Sequence, residues 1–208
     1  MEVVDEFESG WLHKPDNPNG NALVLTHGAG SNANAPLLRA VSEAFAAVGV
    51  LVYRYNLPFR VARPHGPPFP SMAAKDRSGV QTAIDKIRSL VSGRIIAGGH
   101  SYGGRQTTML AAENPSAADA LLVLSYPLHP PRKPDNLRTA HFPHLSTPAL
   151  FIHGSLDPFG SEEEMREALK QIPAPWTLHM VKGAGHDLGK HHSGLASVMV
   201  DQAARLFQ

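Results

Sequence analysis

Short apolar runs alternate along the chain with longer segments whose apolar positions recur every three or four residues. Ala22-Leu23-Val24-Leu25-Thr26 has no polar alternation and ends in His27-Gly28-Ala29-Gly30. It reads as a strand buried on both faces. From Pro36 the apolar positions Leu37, Leu38, Val41, Ala44, Phe45 and Val48 keep helical spacing until Gly49, which reads as a helix and its stop. The same reading predicts strands over 50–55, 94–98, 120–125, 149–153 and 176–181, and helices over 76–90, 102–112, 162–171 and 197–207. Val3 to Phe7 and Trp11 to Lys14 are expected to add an antiparallel edge pair. Strands that take turns with helices require a mostly parallel central sheet with helices on both faces. The fold class is α/β.

Two segments break the rhythm. Leu57 to Pro70 carries Pro58, Pro64, Pro67, Pro68 and Pro70 with Arg60, Arg63 and His65. Tyr126 to Pro148 carries six more prolines with His129, His141 and His144. Proline at that density predicts stiff surface loops without regular structure. No repeat, low-complexity tract or linker interrupts 1–208, which reads as one domain. In such sheets ligands bind beyond the C-terminal ends of the strands.

Composition narrows the function. Lys plus Arg number 19 and Asp plus Glu 18, a net charge of +1. That balance gives no electrostatic reason to expect nucleic acid or an anionic membrane as partner. Cysteine is absent, which excludes disulfides, thiolate metal sites and a cysteine nucleophile. The opening Met1 to Glu8 is acidic and lacks the apolar core of a secretory signal. No apolar stretch approaches the roughly 20 residues of a membrane span. A cytoplasmic protein is the expectation.

Chemistry concentrates at Gly99-His100-Ser101-Tyr102-Gly103, a Gly-x-Ser-x-Gly string between a predicted strand and a predicted helix. A strand reversing sharply into a helix strains its turn residue and projects that side chain outward, and glycines two positions away avoid a clash. The competing reading is a glycine-rich turn that binds nothing, or binds a phosphate; the spacing of a nucleotide P-loop is missing. A serine hydroxyl needs a base, and the base needs an orienting group. Asp157 stands just past the strand at 149–153, and His186 follows the next strand in Gly183-Ala184-Gly185-His186. Each alone also reads as an ordinary loop residue. Their order, Ser then Asp then His, is that of an α/β-hydrolase. The oxyanion donors are expected to be the N–H of Tyr102 and that of Ala29, with Gly28 as the alternate. His191 and His192 follow His186, but only Asp187 stands by as a further ligand, so no metal or cofactor is assigned.

The chain resembles the α/β-hydrolases of the small, lidless kind, similar to dienelactone-hydrolase-like proteins and to a family of short hydrolase-like proteins with testis-expressed and chromatin-complex members. The segments that carry the resemblance are 25–30, 99–105, 124–131 (Leu-Ser-Tyr-Pro-Leu-His-Pro-Pro), 151–157 and 183–186. It implies Ser101 as nucleophile, His186 as base and Asp157 as its orienter, in a serine carboxylic ester hydrolase. A serine stands where dienelactone hydrolase uses cysteine. The short connection over 126–148 leaves no large lid, so small or short-acyl esters are the expected substrates. The alternative is a non-catalytic protein-interaction module on the same fold. Arg105 is expected to pair with a carboxylate near the Asp157 loop. The arginines and histidines of the proline-rich segments are expected to be solvated, the other reading being contact with an anionic substrate.

Overall fold

In a computed structural model, which describes residues 3–189 and 192–207, strands and helices alternate in chain order. His191, weighed above beside His186, lies outside the described residues. The strands are β1 (Val3–Phe7), β2 (Gly10–Lys14), β3 (Ala22–Thr26), β4 (Leu51–Tyr55), β5 (Ile95–His100), β6 (Ala120–Leu124), β7 (Ala149–Gly154) and β8 (Trp176–Val181). The helices are α1 (Pro36–Ala47), α2 (Pro58–Ala62), α3 (Ala73–Arg88), α4 (Tyr102–Glu113), α5 (Glu162–Leu169) and α6 (His192–Ala203). The strands form one sheet in the order β1-β2-β4-β3-β5-β6-β7-β8. From β4 to β8 every pairing is parallel, and β1 and β2 add the antiparallel edge. This is the α/β-hydrolase fold.

Burial explains the apolar runs. Every residue of β3, β6 and β7 is buried, as the runs without polar alternation require. One core, with Val80, Ile84, Ile87 and Leu110, packs α3 and α4 on one face of the sheet. The other, with Leu38, Val41, Phe45 and Met199, packs α1 and α6 on the opposite face. Each such side chain contributes about 1.5–3 kcal/mol by leaving water.

The proline-rich segments are less loop-like than expected. Pro58 occupies the first turn of α2, where its missing N–H has no acceptor to lose. In the second segment Tyr126, Leu128, Phe142 and Leu145 are fully buried, and the rings of Tyr126, Phe142 and Phe151 meet edge to face or tilted. The last helix starts at His192 rather than Ser197 and tightens into a 3₁₀ turn over Ala204–Phe207. Among the described residues no helix is long and apolar enough to cross a membrane.

The topology fixes where a ligand can sit. From β3 the chain runs through α1 to β4 on one side, then through α2 and α3 back past β3 to β5. The loops after β3 and β5 therefore part in opposite directions and leave a crevice between them. His27-Gly28-Ala29 and Ser101 stand at that crevice.

Candidate active site

Ser101 closes β5 and caps α4 with φ 52° and ψ −115°. A non-glycine residue held there costs on the order of 1–3 kcal/mol, which the surrounding backbone must enforce. Three glycines make that possible. A Cβ on Gly99 would stand 2.7 Å from the Gly103 carbonyl carbon, one on Gly103 2.6 Å from the His27 oxygen, and one on Gly104 2.6 Å from the Gly99 oxygen. The first two positions were expected from the motif. Gly104 was not, because its clash appears only once the turn is folded.

The structure brings Ser101, His186 and Asp157 together. Ser101 Oγ lies 2.8 Å from His186 Nε2, and His186 Nδ1 lies 2.8 Å from Asp157 Oδ2. A carboxylate only accepts, so the proton sits on Nδ1 and the Nε2 lone pair faces the hydroxyl. Asp157 is buried, and its Oδ1 accepts from the Phe159 N–H at 2.9 Å. The Phe159 ring lies 4.3 Å from that of His186. His153 Nε2 donates to the Gly160 carbonyl at 2.8 Å, pinning the turn that carries Asp157. Burial lowers the pKa of His153. The ring is therefore neutral, and its approach to Asp157 Oδ2 at 3.7 Å is not an ion pair.

His100 ties two loops to Ser101. Its Nε2 donates to the His186 carbonyl at 2.8 Å. Its Nδ1 would meet a Cβ on Gly28 at 3.0 Å, and Ser101 Cβ would meet the same atom at 3.3 Å. Only glycine lets the loop after β3 lie this close to Ser101. Burial holds His100 at a pKa of about 4, against the hydrogen bond to the His186 carbonyl, which works the other way.

That loop is braced from three directions. The Leu57 N–H donates to His27 Nε2 at 3.1 Å, so Nδ1 carries the proton and donates to the Gly28 carbonyl at 2.8 Å. The Ser31 N–H reaches the same carbonyl. In a trans peptide the N–H points away from the carbonyl, so the Ala29 N–H is turned from this anchor and, like that of Tyr102, meets no backbone acceptor among the described residues. Burial lowers His27 to about 4.

Arg60 is neither solvated nor free for an anion. Its Nε donates to the Ser31 carbonyl, Nη2 to those of Ala29 and Gly66, and Nη1 to those of Arg63 and Pro64, at 2.7–3.2 Å. All five guanidinium donors are engaged. Asp76, fully buried at the start of α3, accepts from the Phe59 N–H and the Tyr102 hydroxyl, each at 2.8 Å. It clamps the residue after Ser101 to α2. Neither role was legible: α2 is too short for a periodic signal, and an aspartate opening a helix reads as a partner for the helix dipole.

Arg105 lacks the carboxylate partner expected for it. Its Nε is buried without a hydrogen bond, and it forms no ion pair among the described residues. Of the loop histidines, His129 is buried against the Pro130 carbonyl and His141 meets Thr108 Oγ1 at 2.9 Å, while His65 and His144 are exposed. A cavity of about 250 Å³ opens beside the loop after β3, lined by His27, Gly28, Leu37, Leu38 and His100. A groove of about 490 Å³ along Tyr53, Pro58 and Lys86 includes none of the predicted residues.

Residues 19–205 match the family described as alpha/beta hydrolase domain. Solved structures with similar folds include a dienelactone hydrolase from Anabaena variabilis, 20% identical with a TM-score of 0.76 over 100% of this chain and 99% of that one. A serine hydrolase without lid from Xanthomonas campestris is 15% identical with a TM-score of 0.75, covering 100% and 94%. A serine hydrolase homologue from Coxiella burnetii is 16% identical with a TM-score of 0.74, covering 97% and 96%.

Proposed function

The chain belongs to the α/β-hydrolase family, and from that premise we propose that it is a serine-dependent carboxylic ester hydrolase for small or short-acyl esters. The observation that carries this reading is the unbroken line of contacts from Ser101 Oγ through the His186 ring to Asp157, each at 2.8 Å. A hydrolase needs a nucleophile at neutral pH, and a hydroxyl becomes one only as a base takes its proton. His186 Nε2 takes it while Ser101 Oγ attacks the ester carbonyl, and Asp157 stabilises the imidazolium. The imidazolium then protonates the departing alcohol, and water, activated by the same ring, releases the acyl group.

Negative charge forms on the carbonyl oxygen in both steps. The amides of Ala29 and Tyr102 are the proposed donors, each worth about 2.7–4 kcal/mol in the transition state. Supporting Ala29 over Gly28 is the anchoring of the Gly28 carbonyl by His27 and Ser31. The cavity of about 250 Å³ beside Gly28 and His100, lined by Leu37 and Leu38 together with Asp187 and His192, is the proposed seat of a short acyl chain.

A fluorophosphonate probe and a p-nitrophenyl ester series from acetate to decanoate test this. Wild type is expected to label and to turn over the short esters fastest. Ser101→Ala should lose both, and Asp157→Asn should lose about 10⁴-fold in kcat. An unlabelled Ser101 in folded protein would remove the reading.

A further inference from the structure

Arg105 stands one helical turn beyond Ser101 on α4, with its backbone N–H bonded to the Ser101 carbonyl. Side chains on a helix lean toward its N-terminus, so Arg105 leans toward the nucleophile turn. It meets the segment that follows β6. There the Tyr126 hydroxyl donates to the Arg138 carbonyl at 2.6 Å, and the Arg138 N–H donates to the Leu128 carbonyl at 2.8 Å. These bonds fold the segment back so that Arg138 lies against Tyr126. Among the described residues the Arg138 side chain makes one hydrogen bond, at 3.2 Å, to the Pro127 carbonyl.

The two guanidinium groups share one neighbourhood. Arg105 reaches the Tyr126 hydroxyl as a hydrogen-bond partner, and its charge acts on His141 and on Arg138, whose pKa falls through burial first and the Arg105 charge second. Among the described residues no carboxylate answers them. The acidic groups of the neighbouring helices are engaged elsewhere: Glu113 holds Arg77 at 2.8 Å, and Asp76 holds Phe59 and Tyr102. His141, packed into the same cluster, is held at about 4 by burial, with Arg105 and Arg77 adding to it. It brings no positive charge at neutral pH and no negative one. Two like charges, partly buried and without a counter-ion, are unfavourable. An oxyanion bridging the two guanidinium groups removes that cost.

We propose that Arg105 and Arg138 form a binding site for an oxyanion, carboxylate or phosphate, beside the nucleophile turn, and that the ester substrate carries that anion. The first half stands on the cluster alone. The second rests on the esterase reading and narrows it to esters with an acidic group remote from the scissile bond. A free anion in solution has the same chemistry, and the experiment separates the two.

Two measurements on wild type, Arg105→Gln, Arg105→Lys and Arg138→Gln decide it. The first is the thermal midpoint in sodium phosphate and sodium glutarate against sodium chloride at matched ionic strength. Wild type should be stabilised by the oxyanions, both glutamine variants should lose the effect, and Arg105→Lys should keep part of it. The second is kcat/KM for the p-nitrophenyl monoester of glutarate against p-nitrophenyl valerate, its neutral match in length. Either glutamine variant should lower the ratio by about tenfold to a hundredfold, with valerate turnover nearly unchanged. Lost stabilisation with an unmoved ratio overturns the substrate half and leaves a site for free anions. No oxyanion stabilisation and an unmoved ratio overturn the whole proposal. If no ester is turned over by folded wild type, the esterase reading falls, and the thermal measurement alone decides the anion site.

Discussion

Arg60 on α2 and Arg105 on α4 stand on either side of the turn at Ser101, and their guanidinium groups end in opposite conditions. On the β3 side Arg60 spends all five donors on carbonyls, His27 uses both ring nitrogens, and Asp76 accepts two bonds. On the β6 side Arg105 has a buried Nε with no acceptor, and Ser125 Oγ, at a residue with φ 48°, is also unpaired. Saturation holds a backbone still. That is what an oxyanion donor requires, since it must be in place before charge develops. Unsaturation leaves bonds to give to something outside the chain. The same residue type is a brace in one region and an open valence in the other.

Removing the brace should do the most damage. Arg60→Met takes the donor from five carbonyls, those of half-buried Ala29 and Ser31 and of exposed Arg63, Pro64 and Gly66, and we expect a loss of about 2 kcal/mol in unfolding free energy. Because Nη2 holds the Ala29 carbonyl, the variant should also lose about a hundredfold in kcat on a short ester, the scale of one oxyanion donor. Urea melts and steady-state kinetics measure the two. Normal stability in Arg60→Met would erase the contrast between the regions.

The sequence carried the frame and the three side chains that the fold brings together, but not the braces. Apolar runs such as Ala22–Thr26 announce buried strands because every position faces a core, and Ser101, Asp157 and His186 are found because their loops have a fixed place after a strand. Arg60 and Asp76 act through contacts with residues far along the chain: Arg60 reaches back to Ala29 and Ser31, and Asp76 forward to Tyr102. No local pattern encodes such a contact. Proline density in 57–70 and 126–148 predicts loop, yet Pro58 begins α2 and Tyr126 and Phe142 enter the core. Proline restricts the backbone without deciding burial, and the aromatic side chains between the prolines were the signal for it.

Acid sharpens the comparison in turn. His27 on the braced side and His141 on the open side each fall from 6.5 to about 4 in the folded protein, chiefly through burial. Each ring is neutral when folded and takes up its proton near 6.5 when unfolded. Below that pH the unfolded chain binds more protons, so stability is lost as the pH falls from about 6.5 to about 4. For His27, which is fully buried, the loss reaches about 3 kcal/mol by pH 4. Urea melts from pH 7 to pH 4 should show this decline, and the ring resonances should separate the two regions. Phosphate should leave the His27 titration unmoved and raise that of His141, since an anion between Arg105 and Arg138 offsets a charge that holds His141 down. Equal behaviour of the two rings would merge the regions.

The smallest effect is the most discriminating. Arg105→Met removes a guanidinium that has no carboxylate partner and replaces its chain with an apolar one of similar reach. Removing a partly buried, unpaired charge is neutral or stabilising, whereas removing a saturated one is costly. In chloride buffer free of oxyanions, Arg105→Met should therefore lie within about 0.5 kcal/mol of wild type or above it, against the loss in Arg60→Met. In phosphate the gap to wild type should open, because only wild type gains from the anion. A loss in chloride as large as that of Arg60→Met would mean that Arg105 is also a brace, and the asymmetry across β5 would be gone.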